Sequence, residues 1–373
     1  MKNEKVDLMK LLYITNGITG SGGLERVLSV KASYLADNYK YEVHILSLNE
    51  EGKEPFYKFS SQIIFHTLSY TGIYSYIKGI IRSVKKIQPD IISVCDDGLK
   101  GFLLPIILRK PCPMIYERHV SKEISRQTGK LGSIKTSILY KLMHIGGRLY
   151  NRFIVLTERN KLEWKLSNIE VIANPLPFYP EVISELKNKK VINVGKLSYQ
   201  KAQDILIEIW ERVSKAHDDW TLDIYGKNEK KSSYHDLIIE KNLESNVFIH
   251  DPVKMIDEKY QESSIFVLTS RFEGFGMVLI EAMAYGIPCI SFDCPYGPAD
   301  IITNGEDGFL VSVGDIQQLA DRIIYLIENE DKRIEMGQNA RTKAEKYLPE
   351  SIVPLWDDLF KELIDEKNNN NFS

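Results

Sequence analysis

Cysteine is scarce in this chain. Its 373 residues hold four, Cys95, Cys112, Cys289 and Cys294, none paired at a zinc-ligand spacing and each in or beside an apolar segment. That pattern argues against a disulfide scaffold or a structural zinc site and predicts free, buried thiols in a reducing compartment. Long apolar runs are also missing, and none approaches the ~20 residues of a membrane-spanning helix. The first ten residues, MKNEKVDLMK, carry charge throughout, and the apolar run after them is brief. This is not the pattern of a secretory signal, so a cytoplasmic location is the expectation. No internal repeat is evident.

The rest of the composition is that of a folded, soluble protein, with 43% apolar and 27% charged residues. The length suits two domains. A net charge of −3 hides an asymmetry: residues 1–175 hold 26 Lys+Arg against 16 Asp+Glu, and the remainder 22 against 35. The basic excess concentrates in residues 70–160, with 16 basic and 6 acidic residues. A basic half suits an anionic partner, such as a membrane surface or a phosphorylated substrate; a solvated basic face is the plain alternative.

Apolar periodicity alternates between strand and helix. In the first half, strands are expected at 11–15, 41–48, 63–68, 90–94, 114–117, 153–156 and 171–172, with helices at 24–39, 74–87, 99–108 and 135–150. In the second half, strands are expected at 191–194, 221–225, 247–249, 265–268, 289–292 and 308–311. Helices are expected there at 202–215, 233–241, 277–285, 316–329 and 331–347, with a short one near Lys259. Alternation of this kind builds parallel sheets with helices on both faces. Pro175, Pro177 and Pro180 interrupt it and a charged stretch follows, so 1–175 reads as one domain, 176–190 as a linker and 191–350 as a second domain. A last helix over 351–365 carries Ile352, Leu355, Trp356, Leu359 and Phe360 on one face, and the polar tail KNNNNFS reads as disordered.

The most informative segment is FVLTSRFEGFGMVLIEAMAYGIP. A buried strand ending at Leu268 runs into a glycine turn with Gly274 and Gly276, and a helix from Met277 is stopped by Gly286 and Pro288. The first amides of such a helix lack intrahelical partners and carry partial positive charge, and bare glycines let a phosphate approach them. Gly274, Phe275, Gly276 and Met277 are therefore candidate donor-binding residues. Glu273 on the lip and Glu281 inside the helix, seven residues between them, can accept hydrogen bonds from sugar hydroxyls and from a vicinal diol such as a ribose.

Other constellations support an anionic ligand. GITGSGGLERV places Gly22 and Gly23 at the start of the first helix, but Glu25 stands where a dinucleotide fingerprint needs its third glycine. No acid stands at the expected end of the second strand, where Ser47 and Asn49 sit, and both departures weaken a nicotinamide reading. NVGKLSYQKAQDIL sets Lys196 and Lys201 five apart on a loop, where two cations can converge on a diphosphate and offset the charge of a leaving nucleotide. MIYERHV sets His119 just beyond a buried strand, where it can donate to a hydroxyl or a phosphate. FDCPYGPADII reads as a rigid turn. The helices TGIYSYIKGIIRSVKK and IKTSILYKLMHIGGRLYNR mix Lys and Arg with Ile, Leu and Tyr, a composition that suits either an anionic membrane or ordinary packing on a sheet.

The order of these motifs resembles the family 4 retaining glycosyltransferases, over nearly the whole chain. The resemblance rests on the Gly-Gly-x-Glu-Arg loop, His119, Asn174-Pro175, the lysine loop and the Glu-x7-Glu segment. The Cys-Pro-x-Gly-Pro segment resembles members that build bacterial surface glycans. The chain departs from the family at Lys196, where an arginine is usual, and at Ala202, where a glycine is usual. The resemblance implies two facing Rossmann-like domains of the GT-B fold, with the active site in the interdomain cleft and the last helix crossing back to the first domain. It implies transfer of a hexose or N-acetylhexosamine, with retention, from a nucleotide diphosphate sugar, UDP-sugar favoured. The acceptor would be a glycan or a polyprenyl-diphosphate-linked glycan of a capsule, O-antigen or exopolysaccharide. Lys196 and Lys201 would bind the diphosphate, Glu281 the ribose, Glu273 and His119 the transferred sugar, and Gly22 and Gly23 would border the pyrophosphate. No Asp-x-Asp pair occurs, which fits a site without a metal. Nucleic acid is not an expected partner; contact with the inner face of the plasma membrane is. A sugar-nucleotide epimerase and a non-catalytic nucleotide-sugar-binding subunit are the alternatives.

Overall fold

The computed structural model describes residues 8–95, 98–122, 133–227, 231–253 and 256–370. The chain divides into two compact units, 1–177 with 349–373, and 178–348.

Among the described residues the first unit is built on seven strands, β1 (Lys10–Thr15), β2 (Glu42–Leu48), β3 (Ile64–Leu68), β4 (Ile91–Cys95), β5 (Met114–Glu117), β6 (Arg152–Val155) and β7 (Ile169–Val171). They form one parallel sheet in the order β3-β2-β1-β4-β5-β6-β7. The central strands are continuous apolar runs because both faces of the sheet are covered. Leu11 and Tyr13 of β1 pack to one side, with α1 (Gly23–Asn38); Leu12 and Ile14 pack to the other, with α2 (Ile73–Ile87), α3 (Leu99–Leu108) and α4 (Ser133–Arg148). A further helix, α5 (Glu158–Trp164), is absent from the sequence expectation. It has only seven residues, and its cap pairs Thr157 with Asn160 in place of the glutamate or glutamine that signals a capping box.

Among its described residues the second unit has six strands, β8 (Lys190–Val194), β9 (Thr221–Tyr225), β10 (Val247–His250), β11 (Ile265–Leu268), β12 (Cys289–Phe292) and β13 (Gly308–Val311). These pair in parallel in the order β10-β9-β8-β11-β12-β13. The helices are α6 (Gln203–Ala216), α7 (Lys231–Glu240), α8 (Ile256–Gln261), α9 (Met277–Ala284), α10 (Pro298–Ile301), α11 (Ile316–Glu328) and α12 (Glu330–Ala344). Both units are thus Rossmann-like. The stretch after Phe178, which composition marks as a linker, belongs to the second unit: Ser184 Oγ donates to the Ser263 carbonyl at 2.6 Å, and Arg333 Nε to the Leu186 carbonyl at 3.1 Å.

The last helix, α13 (Pro349–Asn370), packs on the first unit. Ile352, Val353, Trp356 and Phe360 join the core beneath α1, and Arg152 of β6 reaches Glu362 and Glu366 at 2.6 and 2.7 Å. The helix continues through Asn370, so residues 367–370 of the polar tail are ordered by its length, and 371–373 lie outside the described residues.

Candidate active site

In an open parallel sheet, ligands bind beyond the carboxyl ends of the strands, where the strand order reverses. In the second unit that point lies between β8 and β11. The loop after β8 carries Lys196 and Lys201; the turn after β11 carries Glu273 and the two glycines. The two segments are zipped together. The Arg271 amide donates to the Gln200 carbonyl at 2.8 Å, and Gln200 Nε2 to the Phe272 carbonyl at 3.2 Å. Thr269 Oγ1 donates to the carbonyls of Lys201 and Ala202, both at 3.1 Å, and Arg271 pairs with Asp204 at 3.1 Å. At the centre, Lys201 Nζ lies 2.6 Å from Glu273 Oε1, and Ser270 Oγ donates to the same oxygen at 2.6 Å. Glu273 is only 5% exposed, and this pair of donors is what compensates its carboxylate for burial.

Ala202 caps α6 with φ +53. That left-handed conformation is the one glycine adopts most readily, and an alanine there carries strain of about 1 kcal/mol. An alanine in place of the glycine that the resemblance implies is therefore tolerated by the backbone at that cost.

The glycine turn leads into α9. Gly276 caps this helix with φ +96 and no side-chain cap, and Phe275 beside it is buried. The Pro-Tyr-Gly-Pro loop after β12 supports the turn from below: the Glu273 amide donates to the Pro295 carbonyl at 3.3 Å, and a Cβ on Gly297 would overlap the Phe275 carbonyl. Glu281 sits 2% exposed on α9 and accepts a hydrogen bond from the Tyr260 hydroxyl at 3.2 Å. Exposed Lys196 borders an open pocket whose walls include Ser198, Tyr199, Asp204, Ser233 and Tyr234.

In the first unit, Gly22 and Gly23 are exposed where α1 begins, with Gly22 as its cap. The loop before them is tied down by a residue that the sequence reading passed over. Glu50, two residues beyond β2, accepts from the amides of Ile18 and Thr19 at 2.8 and 3.2 Å. An acid does follow the second strand, but its carboxylate is engaged in holding this loop.

His119 lies beyond β5, its side chain 6% exposed, with Nε2 3.3 Å from Glu117 Oε2. Its Nδ1 is buried and has no partner among the described residues. Glu117 is the hub of a buried network. Lys31 Nζ stands 2.5 Å from the same oxygen, Ser93 Oγ donates to the other at 2.5 Å, and Lys31 lies 3.7 Å over the Trp356 ring of α13. Burial alone would raise the Glu117 pKa, but the Lys31 charge and the hydrogen bonds from His119 and Lys31 outweigh it and hold it down to about 2. With Glu117 anionic, a proton on His119 Nε2 can donate to it, which leaves Nδ1 as a hydrogen-bond acceptor, able to receive a hydroxyl proton. Lys31 reads in sequence as an aliphatic stem on a core face; its buried charge gave no signal there. Cys95, Glu117 and His119 come close enough to suggest a metal site, but Lys31 already supplies the cation at Glu117.

Lys196, Lys201, Glu273, Gly274 to Met277 and Glu281 all lie in the second unit, where the structure brings Lys201 and Glu273 into direct contact, while Lys196 faces the open pocket and Glu281 is paired with Tyr260; Gly22, Gly23 and His119 belong to the first. Ser270, Gln200 and Arg271, which bind the loop to the turn, have no pattern of their own in the sequence.

Comparison with known proteins identifies the family and the fold. Residues 178–343 match the family described as glycosyl transferases group 1. Over 366 residues the chain is 32% identical to the amylovoran biosynthesis glycosyltransferase AmsD of Erwinia amylovora, covering 94% of this chain and 99% of that one. The chain belongs to the group 1 glycosyltransferases. This glycosyltransferase is also 26% identical over 325 residues to the lipopolysaccharide 1,6-galactosyltransferase of Escherichia coli, covering 83% of this chain and 86% of that one. Among solved structures, it shares its fold with a Staphylococcus aureus TarM variant bound to UDP and glycan ligands, at TM-score 0.78 and 19% identity over 95% of this chain and all of that one. It does so too with Anabaena HepE bound to UDP-glucose, at TM-score 0.77 and 19% identity over 95% and 100%. The fold is GT-B, the activity is glycosyl transfer of the kind used in polysaccharide biosynthesis, and the epimerase alternative is not favoured.

Proposed function

We propose that this glycosyltransferase is a family 4 enzyme that moves a hexose or N-acetylhexosamine, with retention, from a UDP-sugar to a glycan or a polyprenyl-diphosphate-linked glycan. The product would enter a capsule, O-antigen or exopolysaccharide. The observation that carries the reading is the Lys201–Glu273 pair, which joins the lysine loop to the glycine turn at the switch point of the second sheet. UDP in the TarM and HepE structures and the polysaccharide roles of AmsD and the galactosyltransferase support the donor and acceptor classes.

In this reading Lys196 and Lys201 hold the diphosphate, and the amides at the start of α9 face phosphate or sugar. Glu281 takes the ribose diol after Tyr260 yields it. Glu273 and His119 orient the transferred sugar, and Gly22 and Gly23 leave room for the pyrophosphate. The acceptor oxygen bonds to the anomeric carbon on the face from which the diphosphate oxygen leaves. The acceptor proton passes to that leaving phosphate, and the lysines offset the developing charge. The site works without a metal, and a lipid-linked acceptor would bring the enzyme to the inner face of the plasma membrane.

A thermal-shift panel of UDP-, GDP- and ADP-sugars tests the donor, since a ligand that binds the folded state raises its melting temperature. A shift by UDP-sugars, with product of retained configuration when an acceptor is added, is expected. Stabilisation by none of them would overturn the reading.

A further inference from the structure

Two neighbouring helices of the first unit each turn three apolar side chains to solvent. On α3 these are Leu99, Leu103 and Ile106, exposed by 39, 46 and 61%; on α4 they are Ile138, Leu142 and Ile145, exposed by 53, 50 and 56%. Both triplets have the i, i+4, i+7 spacing that aligns side chains along one helix face. The opposite faces are committed to the core through Phe102, Leu104 and Met143. The two helices are locked together: a Cβ on Gly146 of α4 would stand 2.7 Å from the Phe102 carbonyl oxygen of α3, and the Tyr150 hydroxyl donates to the Gly101 carbonyl. The stripes therefore lie on adjacent helices of a single rigid surface. Single exposed apolar side chains are ordinary, but paired stripes mark a surface that something covers.

Charge selects what covers it. Neither α3 nor α4 contains an aspartate or glutamate, and neither does α2, which packs beside α3. Exposed Lys100, Arg109 and Lys110 flank the α3 stripe, and exposed Lys141 and Arg148 flank that of α4. A second copy docking through the same face would set like charge against like. An anionic bilayer satisfies both features, since the apolar residues enter the acyl boundary while the lysine and arginine heads stay among the phosphates.

We propose that the outer face of α3 and α4 is a docking surface for an anionic lipid bilayer. It deepens the proposed function by naming the surface that would meet the membrane, and it rests on that reading only for the location of the acceptor.

The test is sedimentation of the full chain with vesicles of phosphatidylcholine alone or of equal parts phosphatidylcholine and phosphatidylglycerol, without donor or acceptor. Binding to the anionic vesicles is expected, weakened by high salt as screening requires. The exposed-site variants L103S/I106S/L142S/I145S and K141E/R148E should each partition about tenfold more weakly or worse, with circular dichroism unchanged. The control K187E, on the second unit, should bind as the unaltered protein does. Absence of binding by the unaltered protein, equal binding to neutral vesicles, or full binding by either variant would each overturn the proposal. So would self-association that the apolar variant abolishes, because a second copy would then cover the face. UDP-sugar binding and transfer to a soluble acceptor are measured separately, so loss of either reading leaves the other standing.

Discussion

Lys201 Nζ stands 2.6 Å from Glu273 Oε1 although 72 positions separate the two residues. The contact exists because β8 and β11 are neighbours in the sheet, so their following loops meet. A buried carboxylate paired with one ammonium and one hydroxyl is held in one position, which is what a group that orients a sugar requires.

Glu273→Gln and Lys201→Ala should therefore each lower kcat by about a hundredfold or more, the scale on which lost electrostatic stabilisation of a transition state is felt. Far-ultraviolet circular dichroism should remain that of the unaltered protein. Normal turnover in both variants would sink the assignment of this pair to the site.

Glu117 yields a prediction in pH. Its folded-state pKa is depressed to about 2, against an unfolded value of about 4.3. The stabilisation it contributes is thus complete above about pH 4.3 and is lost as pH falls from there toward 2. Glu117→Gln should cost about 3 kcal/mol at pH 7, because Lys31 is left buried without its partner. The gap to the unaltered protein should narrow as the pH is lowered through that window. Urea denaturation at a series of pH values measures it, and a gap independent of pH would show that Glu117 does not titrate as described.

The loop that supports the glycine turn can be tested by adding one methyl group. Gly297 has φ +102, and its Cα faces the Phe275 carbonyl; Gly314 has φ +86 with open space beside it. Gly314→Ala should cost about 1 kcal/mol from conformation alone. Gly297→Ala should cost more and should also raise the KM for donor, since the turn beneath the ligand must move. Equal effects on stability and KM from the two substitutions would mean that the contact with Phe275 does not shape the site.

Divalent metal offers a fourth check. The cluster of Cys95, Glu117 and His119 is occupied electrostatically by Lys31, and the proposed function gives the diphosphate to Lys196 and Lys201. Transfer should continue unchanged in excess EDTA. A rate that falls with EDTA and returns with magnesium or manganese would require another binding mode for the donor.

Much of the local structure around the candidate site could be read from pattern. Strand, glycine turn and helix around Glu273 follow from neighbours in the chain, as does the lysine loop after β8, because each is one βα connection with its own turn chemistry. Not every short element was legible, and the buried charges were not. Helix α5 is too short for a period to declare itself, and Lys31 occupies an ordinary core position of α1. Glu50 stands in a loop and shows its role only when the glycine loop folds back onto it.

The sequence by itself determined the alternation of strands and helices, the two-unit plan, and the candidate donor residues within each connection, since these depend on interactions over a few residues. Tertiary structure alone decided which of them meet. Strand order joined Lys201 to Glu273, and the return of α13 to the first unit placed Trp356 over Lys31, whose ammonium pairs with the Glu117 that His119 also meets. It also left the α3 and α4 stripes outward. Such pairings depend on which strands and helices are neighbours in space, and no local periodicity encodes that.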